Sequence, residues 1–224
     1  AQSMTQKPLE EEQIQLFFSD IEPLAASKVL VRLENETLSI GQRILSQGLQ
    51  LTVRGQDKIG IIGPNGVGKS TLLAKLHQLL SGKREISLGF MPQDYQETLQ
   101  LDLSPVEFLS QTGHKEEIQK IQSHLASLNF SYPEMHHQIH SLSGGQQGKL
   151  LLLNLVLRKP NFLLLDEPTR NFSPTSQPEI RKLFANYSGG LVTVSHDRRF
   201  LKEVCTSIYS LTEHGLEVVD LQDL

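Results

Sequence analysis

The chain of 224 residues has a single cysteine, Cys205, so no internal disulfide framework can brace it and its composition suits a reducing compartment. Cys205 itself reads as a packed small apolar residue. Although hydrophobic residues make up 38% of the chain, no apolar run approaches the length of about 18 residues that a transmembrane helix needs. The start, "AQSMTQKPLEEEQIQLFF", lacks a basic region leading into an apolar stretch. It reads as no secretory signal, and its abrupt opening reads as a cut from a longer chain. No internal repeat is visible. A basic excess is missing too. Lys and Arg total 21 against 25 Asp and Glu, a formal net charge of −4. Glu10, Glu11, Glu12, Asp20 and Glu22 against Lys7 place that −4 within residues 1–27, which leaves 20 basic and 20 acidic residues beyond them. A body without cationic surplus is a poor stand-alone nucleic-acid binder, since phosphate neutralisation supplies most non-specific affinity. No direct DNA binding is expected.

What is present is punctuated apolar periodicity. Residues 1–27 are polar and acidic, broken by Pro8 and Pro23, and read as a linker or tail in which "IQLFF" has the character of a short docking strand. Beyond them, "VLVRLEN" (29–35), "LQLTV" (49–53), "KIGIIG" (58–63) and "EISLGFM" (85–91) read as strands. Leu72, Leu73, Leu76, Leu79 and Leu80 repeat at helical spacing until Ser81-Gly82 stops them. Residues 115–130 read as an amphipathic helix through Ile118, Ile121, Leu125 and Leu128, and 145–159 as a second helix ended by Pro160. Strand and helix then alternate: strand 161–167, helix 177–187, strand 191–196, helix 197–205, and two strands around Glu213-His214-Gly215. The economical architecture is a parallel α/β core split by a helical insert at about 94–158.

Three stretches carry chemistry. "GPNGVGKST" (63–71) follows a buried strand and opens a helix, matching G-x-x-x-x-G-K-[ST]. Its glycines free backbone N–H groups to curl around phosphate oxygens, and the helix start adds partial positive charge. Gly63, Pro64, Asn65, Gly66, Val67, Gly68, Lys69, Ser70 and Thr71 are the expected nucleotide contacts. Lys69 is placed to reach the β- and γ-phosphates, and Ser70 to offer its hydroxyl to Mg²⁺. "FLLLDEPT" sets Asp166 and Glu167 at the carboxyl end of a buried strand, the edge of an open α/β sheet where ligands bind. Asp166 is placed to hold Mg²⁺ and Glu167 to polarise an attacking water. "SLSGGQQGK" (141–149) is a second anion-binding device: Ser143 caps a helix whose first turn exposes the N–H groups of Gly144 and Gly145. One nucleotide does not need two such helix starts from one chain. The second makes sense if it covers a nucleotide held by another copy of the same kind of unit.

With these stretches the chain resembles an ATP-binding cassette (ABC) ATPase domain over roughly residues 28–224. Residues 63–71 match the Walker A motif, 142–146 the LSGGQ signature with Ser143, Gly144, Gly145 and Gln146, and 163–167 the Walker B motif with its catalytic glutamate. Gln93 in "FMPQDY" matches the Q-loop glutamine, and His196 in "VSHD" the switch histidine. The resemblance implies a P-loop NTPase fold with a RecA-like parallel-sheet core, a small antiparallel β part and a helical insert. It divides the chain into a linker or tail (1–27), a core lobe (28–93 and 159–224) and a helical lobe (94–158). It implies ATP and Mg²⁺ as cofactors, with Ser70, Gln93 and Asp166 toward the metal. Glu167, His196 and Lys69 are then catalytic, and the signature acts in trans on a second cassette, from the same polypeptide or a homodimer.

Lys69 and Gln93 are only 24 residues apart, and Lys69 and Ser143 only 74. This compactness, with "ISLGFMPQDY" and "VSHDRRFL", is similar to the C-terminal cassette of ABC-F proteins, which pair two cassettes in one cytoplasmic chain and act on ribosomes. "KPLEEEQIQLFF" resembles the end of the linker between those cassettes. The same motifs serve two other readings, the ATP-binding subunit of an ABC membrane transporter and a non-hydrolysing ATP-dependent interaction module. Two positions depart from the family pattern. "DEPTRNFSP" puts Ser173 where the D-loop aspartate stands, which touches coupling across the cassette interface. Ile40, ahead of Gly41-Gln42-Arg43, takes the place of a stacking aromatic, so adenine is expected to rest on an aliphatic surface with loose base selectivity.

Overall fold

The computed structural model describes residues 16–224. It opens on an antiparallel hairpin, β1 (Val29–Ile40) paired with β2 (Arg43–Arg54), which turns at Gly41 with φ 56°. The apolar pattern marks only 29–35 and 49–53, so the hairpin is longer than expected. The pairing slips register between Leu33 and Glu36 and again before Leu38, and Asn35 sits at φ 51°. Such bulges break the two-residue alternation that advertises a strand while pairing continues.

The main sheet has the order β4-β5-β6-β3-β7-β8. Its members are β3 (Lys58–Ile62), β4 (Leu88–Met91), β5 (Phe162–Asp166), β6 (Gly190–Val194), β7 (Ser207–Thr212) and β8 (Gly215–Val219). All neighbours run parallel except β7 and β8, which form the expected closing antiparallel pair. Every residue of β5 and β6 is buried, which is why both read as unbroken apolar runs. Strand character was expected from residue 85, but β4 begins at Leu88. The Asn161 side chain binds the preceding backbone instead, accepting from Ser87 N at 2.8 Å and donating to Glu85 O at 2.9 Å.

Helices cover both sheet faces. α1 (Lys69–Ser81) packs Leu72, Leu73, Leu76 and Leu80 with the hairpin, Phe162 and Leu164. The alternate residues Leu163 and Leu165 face the other way. There they meet the insert helices α2 (Pro105–Leu109), α3 (Lys115–Ser127), α4 (Tyr132–His136) and α5 (Gly144–Arg158), together with α6 (Gln177–Ala185) and α7 (Arg198–Val204). The short α2 and α4 have no periodic signature long enough to read. The third helix stops at Ser127 rather than 130 because Phe130 N turns back to Leu125 O and Asn129 takes φ 65°, a left-handed terminator.

Of "IQLFF", residues 14 and 15 lie outside the described residues. Leu16, Phe17 and Phe18 form no strand; Leu16 is buried in the core, and the Phe18 ring lies 4.7 Å from that of Tyr187. Among the described residues no helix is long and apolar enough to cross a membrane.

A buried serine ties the hairpin to the main sheet. Ser46 is 0% exposed; its hydroxyl donates to Thr212 O at 2.6 Å and accepts from Gly215 N at 3.0 Å. Ser46→Ala leaves a buried N–H without its acceptor. We expect a loss of about 1–3 kcal/mol in unfolding free energy, measured by urea titration.

Candidate functional site

The parallel register sets the site. Asp166 pairs with Val194 of β6, and Val194 with Ile61 of β3, so three strands reach their carboxyl ends at one level. From that edge three loops rise: 63–68 into α1, 167–176 into α6, and 195–197 into α7. Between them and the hairpin lies a cleft of about 790 Å³. Of the expected nucleotide contacts, Asn65, Gly66, Gly68, Lys69, Ser70, Thr71 and Gln93 line it, as do Asp166, Glu167, His196 and Ile40. Gly63, Pro64 and Val67 do not. The first two face Lys69 through their carbonyls, and Val67 packs on the hairpin core. Gly68 must be glycine: its φ is 110°, and a Cβ would press within 3.0 Å of Leu38 and Leu45.

Lys69 is buried and donates to Gly63 O and, at 3.0 Å, to Pro64 O. Burial pulls its pKa down, while the charges of Glu167 and Asp166 push it back up. Its Nζ lies 3.5 Å from His196 Nε2, and His196 Nδ1 bonds Glu167 Oε1. An ammonium only donates and a carboxylate only accepts. The pairing therefore turns Nδ1 to Glu167 as the donor and leaves Nε2 on the side of Lys69. Glu167 is held tightly. Its side chain is 11% exposed, its N–H donates to Val194 O at 2.8 Å, and its backbone sits at φ 50°, a left-handed conformation that a non-glycine residue adopts only under constraint.

Ser70 Oγ donates to Asp166 Oδ2 at 2.8 Å, whereas Asp166 Oδ1 is buried with no hydrogen-bond partner. A buried orphan carboxylate oxygen beside a hydroxyl, in a cleft that Gln93 also lines, fits a hard divalent cation, which takes oxygen ligands. Among the described residues no cluster of three His, Cys, Asp or Glu offers a site made from those side chains alone.

The 141–149 loop, expected to be a second anion-binding device, is not at the cleft. Ser143 Oγ accepts from Gln146 N at 3.2 Å and Gln146 Oε1 from Ser143 N at 3.0 Å, a capping box that opens α5. Gln146 also donates to Glu134, itself the third residue of a capping box on α4. Space around Gly144 and Gly145 is open. None of Ser143, Gly144, Gly145 and Gln146 lines the cleft.

Several lining residues escaped the sequence reading: Leu45, Thr169, Arg170, Gln177, Val194 and Asp197. Thr169 and Arg170 come two and three residues after Glu167 and Asp197 follows His196, so adjacency was a usable signal; Leu45 and Gln177 arrive only through the fold. Thr169 Oγ1 donates to Asp197 Oδ2 at 3.0 Å, joining two of the loops. Phe172 is buried against α5, where a Cβ on Gly148 would come within 2.7 Å of its ring. Ser173 bonds Thr175 and Ser176 of its own loop at 3.0 and 3.1 Å.

Burial raises the Asp166 pKa above the ordinary carboxylate value. The Ser70 hydrogen bond and Lys69 oppose the rise, and the charges of Glu167 and Glu97 add to it. A carboxylate with a raised folded pKa costs stability as pH climbs through the normal range, so at pH 7 the ligand-free fold carries that cost. Asp166→Asn is expected to raise the ligand-free melting temperature at pH 7 by about 2–4 °C. The gain should shrink as pH falls below the ordinary carboxylate range, read by thermal melts across pH.

Comparison with known proteins agrees with this geometry. The family described as ABC transporter matches residues 46–170. The Escherichia coli protein named "Probable ATP-binding protein YheS" is 31% identical over 91% of this chain, and "ABC transporter F family member 2" of Arabidopsis thaliana is 26% identical over 96%. The chain spans about a third of the length of these curated relatives, 33% in both cases. Among solved structures, the ATP-binding cassette MJ0796, a dimer bound to ADP and Pi, matches with TM-score 0.69 and 20% identity over 85% of this chain and 98% of its own. A bacterial Atm1-family ABC exporter with ATP bound matches with TM-score 0.71 and 17% identity over 93% of this chain and 42% of its own. These two likenesses concern the fold. The parallel sheet, the lysine loop, the DE strand end and the matched span lead to one assignment: this chain belongs to the ATP-binding cassette family, with its likeness running to the ABC-F branch.

Proposed function

We propose that this chain binds ATP with Mg²⁺ in the cleft and hydrolyses it, as one cassette of a cytoplasmic ABC-F-like protein that acts on the ribosome. The observation that carries the reading is the convergence of Lys69, Ser70, Asp166, Glu167 and His196 on one strand edge. Residues 28–93 and 159–224 form the proposed core lobe, 94–158 the helical lobe, and 1–27 the linker.

The chain's own groups have separable tasks. The 63–71 loop and the start of α1 hold the phosphates through backbone N–H groups and Lys69. Ser70, Gln93 and Asp166 hold Mg²⁺, which when bound neutralises charge on the β- and γ-phosphates. Glu167 orients and polarises the attacking water. His196, pinned by its Nδ1–H to Glu167 and by Nε2 toward Lys69, fixes the direction of that carboxylate. Ser143, Gly144, Gly145 and Gln146 serve the nucleotide of a second cassette, from the same polypeptide or a second copy. Closure of the two cassettes on ATP performs the mechanical work and hydrolysis resets it.

Glu167→Gln keeps the size of the side chain and removes its charge. It should bind ATP normally and lower turnover by about 10²-fold or more, as loss of a general base does, measured by phosphate release. In the full native polypeptide this variant, spun with ribosomes through a sucrose cushion, is expected to co-pellet only with ATP. Recovery in washed membranes instead would favour a transporter subunit and overturn the ribosomal reading.

The nucleobase end is aliphatic. Ile40 and Leu45 form it, and among the described residues no Phe, Tyr or Trp lines the cleft. Apolar contact without ring stacking discriminates bases weakly. GTP is therefore expected to bind within about tenfold of ATP, a gap of about 1.4 kcal/mol or less, in competition titrations.

A further inference from the structure

Arg170 lines the cleft with its side chain exposed, and its guanidinium makes no hydrogen bond or ion pair with any described residue. The other charged groups of the lining are engaged. Lys69 is held by two loop carbonyls, Glu167 by His196, and Asp197 by Thr169 and the first turn of α7. Among the described residues that line the cleft, Lys69 and Arg170 are the Lys and Arg side chains set against Asp166, Glu167 and Asp197.

The backbone that carries Arg170 is fixed on both sides. Thr169 is buried and bonded to Asp197, Arg170 N donates to Glu167 O at 3.2 Å, and Phe172 is buried with its carbonyl accepting from Gln177 at 3.2 Å. The loop therefore presents the guanidinium from a rigid base three residues beyond Glu167. The backbone of Arg170 is thus tied to that of Glu167, the residue read as acting on the attacking water. A guanidinium is always charged, and its planar fork matches a phosphate bidentately.

We propose that Arg170 binds the terminal phosphate of the nucleotide and makes this cleft prefer a triphosphate to a diphosphate. The proposal rests on the reading of the cleft as an ATP site. Ser and Thr hydroxyls and backbone N–H groups of the 63–71 loop act on both nucleotides, since both carry α- and β-phosphates. Only the γ-phosphate distinguishes them, and Arg170 adds a cation where that group is handled.

The test uses the full native polypeptide and competition titration with ADP and with the β,γ-imido analogue of ATP. The part of the binding that Lys69→Ala removes defines this cleft. Arg170→Ala is expected to weaken the imido analogue about tenfold and to leave ADP within about twofold, narrowing the ratio of the two affinities. Arg170→Lys, a point charge without the fork, should recover part of that loss. Unchanged ADP affinity also reports an intact fold. Equal weakening of both nucleotides, or no change in either, with Lys69-dependent binding intact, overturns the role of Arg170 and leaves the ATP site standing. Absence of any Lys69-dependent nucleotide binding overturns the ATP reading, and Arg170 with it.

Discussion

The hydrogen bond from Ser70 Oγ to Asp166 Oδ2, 2.8 Å long, joins the helix that follows one strand to the end of a strand that is not its neighbour in the sheet. Ser70 belongs to the first turn of α1, which follows β3; Asp166 ends β5; and β6 runs between them in the sheet. The bond exists only because two parallel ladders hold Ile61, Val194 and Asp166 at one height. A slip of one residue in either ladder would turn the side chain of Asp166 to the opposite face and carry the carboxylate away from the helix start. Burial on both faces makes such a slip costly, because every side chain of β5 and β6 is already packed. The core thus fixes the chemistry through register rather than through direct contact.

A second consequence of that edge is constraint on the loops above it. Glu167 holds a left-handed backbone while its N–H is bound to Val194 O and its carboxylate to His196. Local backbone strain of this kind costs on the order of 1–3 kcal/mol and persists where neighbours over-determine it. Here the neighbours are the strand ends themselves. The carboxylate has little freedom to lose when a substrate arrives, which is the physical meaning of a preorganised site.

The sequence disclosed the parts of the molecule whose logic is local. A lysine loop between strand and helix, an acidic pair after four apolar residues, and leucines at helical spacing each carry their reason within a dozen residues. The order of strands, the outer half of the hairpin and the late start of β4 do not. The Asn161 side chain binds the backbone of Ser87 and Glu85 from 74 and 76 positions away along the chain. Leu45 and Gln177 reach the cleft because the hairpin and α6 fold over it, and no pattern at those positions marks them. Arg170 was in plain view three residues past the acidic pair, yet only the cleft geometry and its lack of a partner among the described residues separate it from an ordinary surface arginine.

Gly148 and Phe172 meet where α5 passes the loop that leads from the acidic pair to α6. With the ring in place, any side chain at 148 overpacks the contact; with a smaller residue at 172, a void opens beside bare helix backbone. Neither position can drift alone without passing through a crowded or hollow intermediate. The pair therefore changes safely only together, and even without the ring the Tyr95 hydroxyl, 3.0 Å from a Cβ at 148, keeps that position small.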